Sequence, residues 1–189
     1  MSAVPHKSEL RKKYLAARDS LTKEYRENAS KIATDRLMKS AEFENAKQIF
    51  LYYPIKSEAN DLPLLFAALS MGKKLAFPKC DPETLTMSFI EVVSKGELAR
   101  GSYGICEPTG ERELFGDENT LCVVPAAVFS KDGYRIGYGK GYYDRFLADF
   151  KGISVGFSYD ATLVDSLPFD EYDARLDMII TEKGVYRSE

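Results

Sequence analysis

The pattern of apolar and polar positions changes period several times along this chain. From Lys7 to about Ser40 the sequence is charged and helix-favouring, with Leu10, Tyr14 and Ala17 at helical spacing and a second set at Ile32, Leu37 and Met38. That spacing predicts two helices with a break near Ser20 to Thr22. Gln48 to Tyr53 is a short aromatic and β-branched run, followed by the loop Pro54 to Asp61, a helix-like stretch from Leu62 to Met71, Gly72 at the capping position, and a second strand-like run from Lys74 to Pro78. Such a β-α-β unit implies parallel strands joined by a right-handed crossover.

From Cys80 to about residue 118 the pattern shifts to alternation at Met87 and Phe89 among many turn formers, which reads as a hairpin-rich excursion. Leu121 to Pro125 is wholly apolar, as in strands buried on both faces of a parallel sheet. Tyr143, Phe146, Leu147 and Phe150 then recur at i, i+3, i+4 and i+7, placing a helix start close to Tyr142. Ile153 to Phe157 and Met178 to Thr181 complete the strands. Ser158 to Tyr172 shows no crossover helix, so the strand at Met178 is expected to run antiparallel, start at the ligand-binding edge and bring Asp173 there. These elements predict one α/β domain over residues 1–189, with helices at about 6–40 and a mostly parallel sheet. Ligands gather beyond the carboxyl ends of such strands, so the loop holding Glu58 and the glycine-rich segment after Phe129 should open onto the same edge.

Composition narrows the function. The net charge of −3 over 189 residues offers no general attraction to nucleic acid, and no local basic patch compensates. No apolar run approaches the length of a membrane span and the N-terminus lacks an apolar signal segment, so a cytoplasmic location is expected. Cys80, Cys106 and Cys122 fit reduced thiols, and the single histidine, His6, leaves no Cys/His zinc spacing and little scope for an acyl-enzyme triad. Chemistry by positioning and electrostatics is the expectation.

Gly133, Gly137, Gly139 and Gly141 fall within nine residues and lead into the helix, where unpaired N–H groups favour an anion. Arg135 and Lys140 add a planar fork and a point charge suited to phosphoryl oxygens. The segment is neither a Walker loop nor a dinucleotide fingerprint, because the spacing fails both. A phosphate-binding loop and a glycine-rich surface turn with solvated cations both remain open on spacing alone. Asp144, in the first helical turn, either answers the helix dipole or holds Mg²⁺ beside a phosphate. Asp173 belongs either to a second metal-ligating position or to a solvated acidic loop. Lys7 and Arg11 share a helical face that either closes over phosphates or faces solvent. Glu58 reads as a turn residue or a site carboxylate, and Tyr138, Tyr142 and Tyr143 as packing residues or platforms for a flat heterocycle.

The run Arg135-Ile136-Gly137-Tyr138-Gly139-Lys140-Gly141-Tyr142-Tyr143-Asp144-Arg145-Phe146-Leu147 closely resembles the signature of the 5-formyltetrahydrofolate cyclo-ligase (5,10-methenyltetrahydrofolate synthetase) family. Further pieces match in order: Lys7, Leu10, Arg11 and Arg18; Glu58; Tyr103, Gly104, Ile105, Glu107 and Pro108; Val124 and Pro125; Asp173 and Asp177. Ser130 departs from the aspartate usual there. The resemblance implies a three-layer α/β/α fold similar to ribose-phosphate isomerase and CoA-transferase domains. It also implies ATP- and Mg²⁺-dependent conversion of 5-formyltetrahydrofolate, mono- or polyglutamylated, to 5,10-methenyltetrahydrofolate with release of ADP and phosphate, by a protein expected to be monomeric. Carried over residue by residue, Lys7, Ser8, Glu9, Leu10 and Arg11, together with Arg135 to Tyr143, would line ATP. Tyr53, Glu58, Tyr138, Gly139, Lys140, Gly141 and Tyr142 would contact folate, Asp144 and Asp173 would ligate magnesium, and Lys140 and Arg135 would neutralise the transferring phosphoryl group. A sugar-phosphate isomerase using Glu58 or Asp144 as base, and a non-catalytic folate or nucleotide carrier, are the alternatives.

Overall fold

A computed structural model describes residues 6–101 and 105–188; Tyr103 and Gly104 of the family motif lie outside them. The helices are α1 (Lys7–Asp19), α2 (Lys23–Met38), α3 (Ala41–Asn45), α4 (Pro63–Ser70) and α5 (Tyr142–Ala148). The strands are β1 (Gln48–Phe50), β2 (Lys74–Asp81), β3 (Thr86–Glu91), β4 (Leu98–Arg100), β5 (Cys106–Pro108), β6 (Glu113–Leu114), β7 (Thr120–Val124), β8 (Val128–Ser130), β9 (Arg135–Ile136), β10 (Ile153–Phe157), β11 (Leu163–Val164), β12 (Met178–Ile180) and β13 (Val185–Arg187). The break between α1 and α2 falls where the sequence predicts it, because the Thr22 hydroxyl accepts from the Tyr25 amide and starts the second helix.

The main sheet has the order β13-β12-β10-β7-β1-β2-β3-β6, with a parallel centre from β12 to β2 and antiparallel margins. Alternate residues of its central strands face opposite layers, as the pleat requires. Ile49, Leu75, Leu121 and Val155 meet Ala33, Leu37, Phe43 and Leu64 of α2, α3 and α4. Phe50, Ala76, Cys122 and Val124 point the other way, towards Phe146 and Phe150. Phe50 and Phe89 stack there with centroids 4.4 Å apart, a contact worth about 1 kcal/mol beyond its buried area.

That second outer layer differs from a full layer of helices. It consists of α5 and a three-stranded sheet, β11-β8-β9, whose Phe129 packs on the main sheet and whose Val128 and Ile136 carry Leu10 and Tyr14 of α1. After Cys80 the chain forms the antiparallel pairs β2–β3, β3–β6 and β4–β5, and β3 and β6 extend the main sheet.

The expected antiparallel direction of β12 is incorrect: it pairs parallel with β10, Val155 opposite Met178. The connection from β10 returns to the start of β12 without an α-helix, through a short 3₁₀ turn at Asp160–Thr162, strand β11 and extended chain. Amide bonds from Lys131 to the Val164 carbonyl and from Leu176 to the Gly133 carbonyl hold this segment against the small sheet in place of helical self-pairing. Asp173 therefore still reaches the loop, but partway along a crossover.

Candidate active site

The glycine-rich segment leaves β9 and enters α5 by a turn that demands glycine twice. Gly139 has φ +92° and Gly141, the residue before α5, has φ +69°, a region costly for side chains bearing a Cβ. At Gly139 a Cβ would also lie 3.2 Å from the Arg11 guanidinium, so the absence of a side chain lets that cation sit on the backbone. Arg11 Nε donates to the Gly137 carbonyl at 2.6 Å. At seven residues α5 has a weak macrodipole, so positive charge at this edge comes mainly from side chains.

Residue 138 joins the loop to the segment following β1. The Tyr138 hydroxyl donates to Glu58 Oε1 at 2.7 Å and accepts from Arg18 Nη2 at 2.8 Å. Arg18, 3% exposed, also donates to Ser57 Oγ and to the Ala126 carbonyl. Glu58 Oε2 accepts from the Ile55 amide at 2.9 Å. Burial pushes the Glu58 carboxyl above its ordinary range, against the opposing pull of the Ile55 amide, the Tyr138 hydroxyl and the Arg18 charge. Burial raises the Tyr138 hydroxyl in turn, with the Glu58 charge adding to the effect. Glu58 and the glycine loop thus share one edge, as expected from strand polarity.

Two features of this network were missing from the expected site. Arg18 matches a family position, yet its function is visible only in the fold: it stands one turn beyond Leu10 and Tyr14 on the apolar stripe of α1, and an arginine continuing such a stripe is the available signal. Asp61 was missed altogether. It is fully buried, its Oδ2 accepts from the Tyr52 amide, and its Oδ1 has no hydrogen-bond partner among the described residues. Burial, and then the Glu58 charge, drive its carboxyl well upward.

On the other side of the loop lie two ion-paired cations, Lys7 and Arg135. Lys7 contacts Asp170 Oδ2 at 2.6 Å and also bonds Asp173 Oδ2. Burial lowers its proton affinity, but the two carboxylates outweigh this and leave it raised. Arg135 Nη2 contacts Asp144 Oδ1 at 2.7 Å while Nη1 donates to the Ala174 carbonyl at 2.8 Å. Arg135, expected at the phosphoryl group, has a side chain that is 3% exposed and committed to Asp144 and the 170s segment, because β9 turns it inward. Lys140 is exposed, with its backbone carbonyl held by Arg145 Nη2 at 2.7 Å.

Other expected contacts are of two kinds. Ser8, Glu9, Gly137, Gly139 and Gly141 lie along the surface formed by α1 and the loop. Leu10 and Ile136 are packing residues whose side chains hold α1 on the small sheet. Tyr143 packs into the aromatic layer with its hydroxyl buried and without a hydrogen-bond partner among the described residues, while Tyr142 reaches the Asp81 carbonyl at 3.5 Å. Tyr53 is half-buried beside Cys106, whose thiol raises it. At the departure noted above, the wholly buried Ser130 hydroxyl bonds Asp132, so a carboxylate stands two residues along.

Among the described residues no three His, Cys, Asp or Glu side chains cluster as a metal cage. Asp144 and Asp173 nevertheless suit a magnesium ion bound mainly by phosphate. The Ala174 amide donates to Asp144 Oδ1 at 3.3 Å, bringing the two carboxylates onto neighbouring segments, and Asp144 Oδ2 and Asp173 Oδ1 make none of the described hydrogen bonds.

The 5-formyltetrahydrofolate cyclo-ligase family model matches residues 3–182. The chain belongs to that family. It is 29% identical over 165 residues to the probable 5-formyltetrahydrofolate cyclo-ligase of Schizosaccharomyces pombe, covering 78% of this chain and 80% of that protein. It is 26% identical over 175 residues to the Escherichia coli K12 5-formyltetrahydrofolate cyclo-ligase, covering 89% and 96%. The solved structure of Aquifex aeolicus 5,10-methenyltetrahydrofolate synthetase superposes with a TM-score of 0.85 at 38% identity, over 97% of this chain and 93% of that one. These matches bear out the family resemblance and the α/β fold. Among the described residues no helix is long and apolar enough to cross a membrane.

Proposed function

We propose that this cyclo-ligase family member converts 5-formyltetrahydrofolate to 5,10-methenyltetrahydrofolate at the expense of ATP, using the edge between α1, the glycine loop and Glu58. One observation carries the reading: residues 137 and 138 are gripped on one side by the α1 cation Arg11 and on the other by the buried carboxylate Glu58. A polyanion and a folate head group would thus be brought to either side of the same two residues.

The N5-formyl group is amide-like and a poor electrophile. Transfer of the γ-phosphoryl group to its oxygen forms an O–P bond, breaks the bond to ADP and leaves an iminium phosphate. Attack by N10 then forms the C–N bond, N10 loses its proton, and the C–O bond breaks to release phosphate. Such a sequence needs alignment and charge neutralisation more than a protein nucleophile. Lys140, exposed on the loop, meets the phosphoryl oxygens, Lys7 and Arg11 hold the remainder of the polyphosphate, and Arg135 acts as a positioning residue through Asp144. Asp144 and Asp173 are the residues that would hold magnesium, which supplies charge neutralisation to phosphate oxygens. Glu58, acceptor-only when ionised, matches the adjacent donors of the pterin ring and orients it, with Tyr53, Tyr138 and Tyr142 beside it.

The test is the near-ultraviolet absorbance of the methenyl product in a mixture of protein, 5-formyltetrahydrofolate and Mg·ATP. Product should appear with one ADP and one phosphate each, and none without ATP. Product formation independent of nucleotide, or binding without phosphate release over hours, overturns the reading.

A further inference from the structure

Beside the two ion-paired cations lies an aromatic arrangement that neither the fold nor the folate site uses. The rings of Tyr134 and Phe169 stack with centroids 3.9 Å apart and planes inclined by 3°. Phe169 is 56% exposed, so much of this parallel pair faces solvent. Leu167 anchors the segment carrying Phe169 against Val128, Ile136 and Leu10, and the Leu176 amide ties its far end to the Gly133 carbonyl. The stack is therefore mounted on fixed chain.

Its place relative to the cations is fixed by chain geometry. Tyr134 immediately precedes Arg135, and Phe169 immediately precedes Asp170, the partner of Lys7. Along α1, Lys7 lies one turn or about 6 Å before Arg11, and Arg11 holds Gly137. Tyr134 and Gly137 flank the two-residue strand β9, three positions or at most about 10 Å apart. A line of positive groups thus runs from the glycine loop past Arg11 and Lys7 to a flat aromatic surface, a span suited to a polyphosphate and its sugar.

We infer that the Tyr134–Phe169 stack is the platform for the purine ring of the nucleotide, with the phosphates running from it towards Gly137 and Lys140. This inference rests on the proposal that the loop binds ATP, and adds where the base lies. Stacking recognises any flat heterocycle through its π-face.

Calorimetric titrations with Mg·ATP and with Mg·tripolyphosphate, which has the phosphates and no base, test it. Phe169→Leu should weaken ATP roughly tenfold or more and leave tripolyphosphate unchanged, while Phe169→Trp should keep wild-type affinity for both. Tyr134→Leu should behave as Phe169→Leu does. Unchanged ATP binding in Phe169→Leu overturns the platform, as does an equal loss for ATP and tripolyphosphate in a variant that Phe169→Trp fails to rescue. A wild-type protein that binds neither compound refutes the nucleotide reading of the loop itself, and the platform with it.

Discussion

Separating Arg135 from Asp144 tests whether that arginine works on the nucleotide or on the architecture. Asp144→Leu leaves a guanidinium that is 3% exposed with the Ala174 carbonyl as its remaining hydrogen-bond partner among the described residues, and stranding a buried charge costs about 3–5 kcal/mol. Arg135→Met removes both charge-assisted bonds, but the Asp144 side chain is 32% exposed and water recovers part of the loss, so about 2–3 kcal/mol is expected. The double variant has no stranded charge and keeps apolar bulk, so its cost should be well below the sum, with a coupling energy of about 2–4 kcal/mol. In a chain of this size each kcal/mol moves the melting midpoint by roughly 2–4 °C. Asp144→Leu should therefore melt about 10 °C below wild type. Urea unfolding of the four proteins measures the cycle, and titration with Mg·ATP measures affinity beside it. Additive single effects, or single variants that keep their stability while losing ATP, would refute the architectural role and return Arg135 to direct phosphate contact.

Three further outcomes are expected. Lys140→Ala should lower kcat by roughly 100-fold, as for other lost electrostatic donors, with an unchanged melting midpoint because the side chain is exposed; steady-state kinetics with calorimetry checks both. Gly139→Ala, at φ +92° and with its Cβ 3.2 Å from Arg11, should raise the KM for ATP several-fold while sparing that for folate, since strain of about 1–2 kcal/mol falls on the loop; equal changes in both constants would contradict it. Glu58 has a folded-state carboxyl raised above its ordinary value, so the folded protein holds that proton more tightly than the unfolded chain. Its contribution to stability is present at low pH and is lost as pH rises through the raised value. Glu58→Gln should remove that loss, and it should also remove the fall in folate affinity expected of the wild type as acidification protonates the carboxylate. Unfolding and binding measured between about pH 5 and pH 8 decide this.

What the sequence discloses follows from where each element finds its partners. The β1–α4–β2 unit, the α1–α2 break and the start of α5 are legible because their apolar periods and caps are local. The path from Ser158 to Asp177 is not, because its amides are satisfied by residues far away in the chain, such as Gly133 and Ser154, and no period of its own announces them. The direction of β12 is hidden for that reason: a parallel crossover ordinarily carries a helix, whereas here extended chain makes the crossing. Lys7, Arg11, Glu58 and the glycine loop stand out by residue type and spacing. Asp61 does not, since an aspartate ahead of Pro63 reads as a helix-start residue. Only the fold shows its side chain turned back to the Tyr52 amide. Arg135 shows the converse: a cation conspicuous in a glycine-rich motif is buried and paired with Asp144, which the motif alone does not disclose.

The same charges explain why the proposed reaction would call for a metal. Around the polyphosphate line stand Lys7, Arg11, Arg135 and Lys140, but Asp144, Asp170 and Asp173 already occupy two of them. Among the described residues Arg11 and Lys140 show no such carboxylate partner, Arg11 being engaged with a carbonyl and Lys140 with its side chain exposed. That balance is far too small to offset a triphosphate, and the seven-residue α5 adds little through its dipole. Replacing the acids with neutral residues would free the cations at the cost of stranding Arg135 in the interior, which the buried ion pair forbids. A divalent cation would resolve the conflict: Asp144 and Asp173 are the residues that would hold it, it would supply charge neutralisation to phosphate oxygens, and the carboxylates would then belong to the nucleotide's binding site instead of competing with it. On this reasoning the acids that make the edge a poor anion site alone would make it a good one for the proposed magnesium–nucleotide complex.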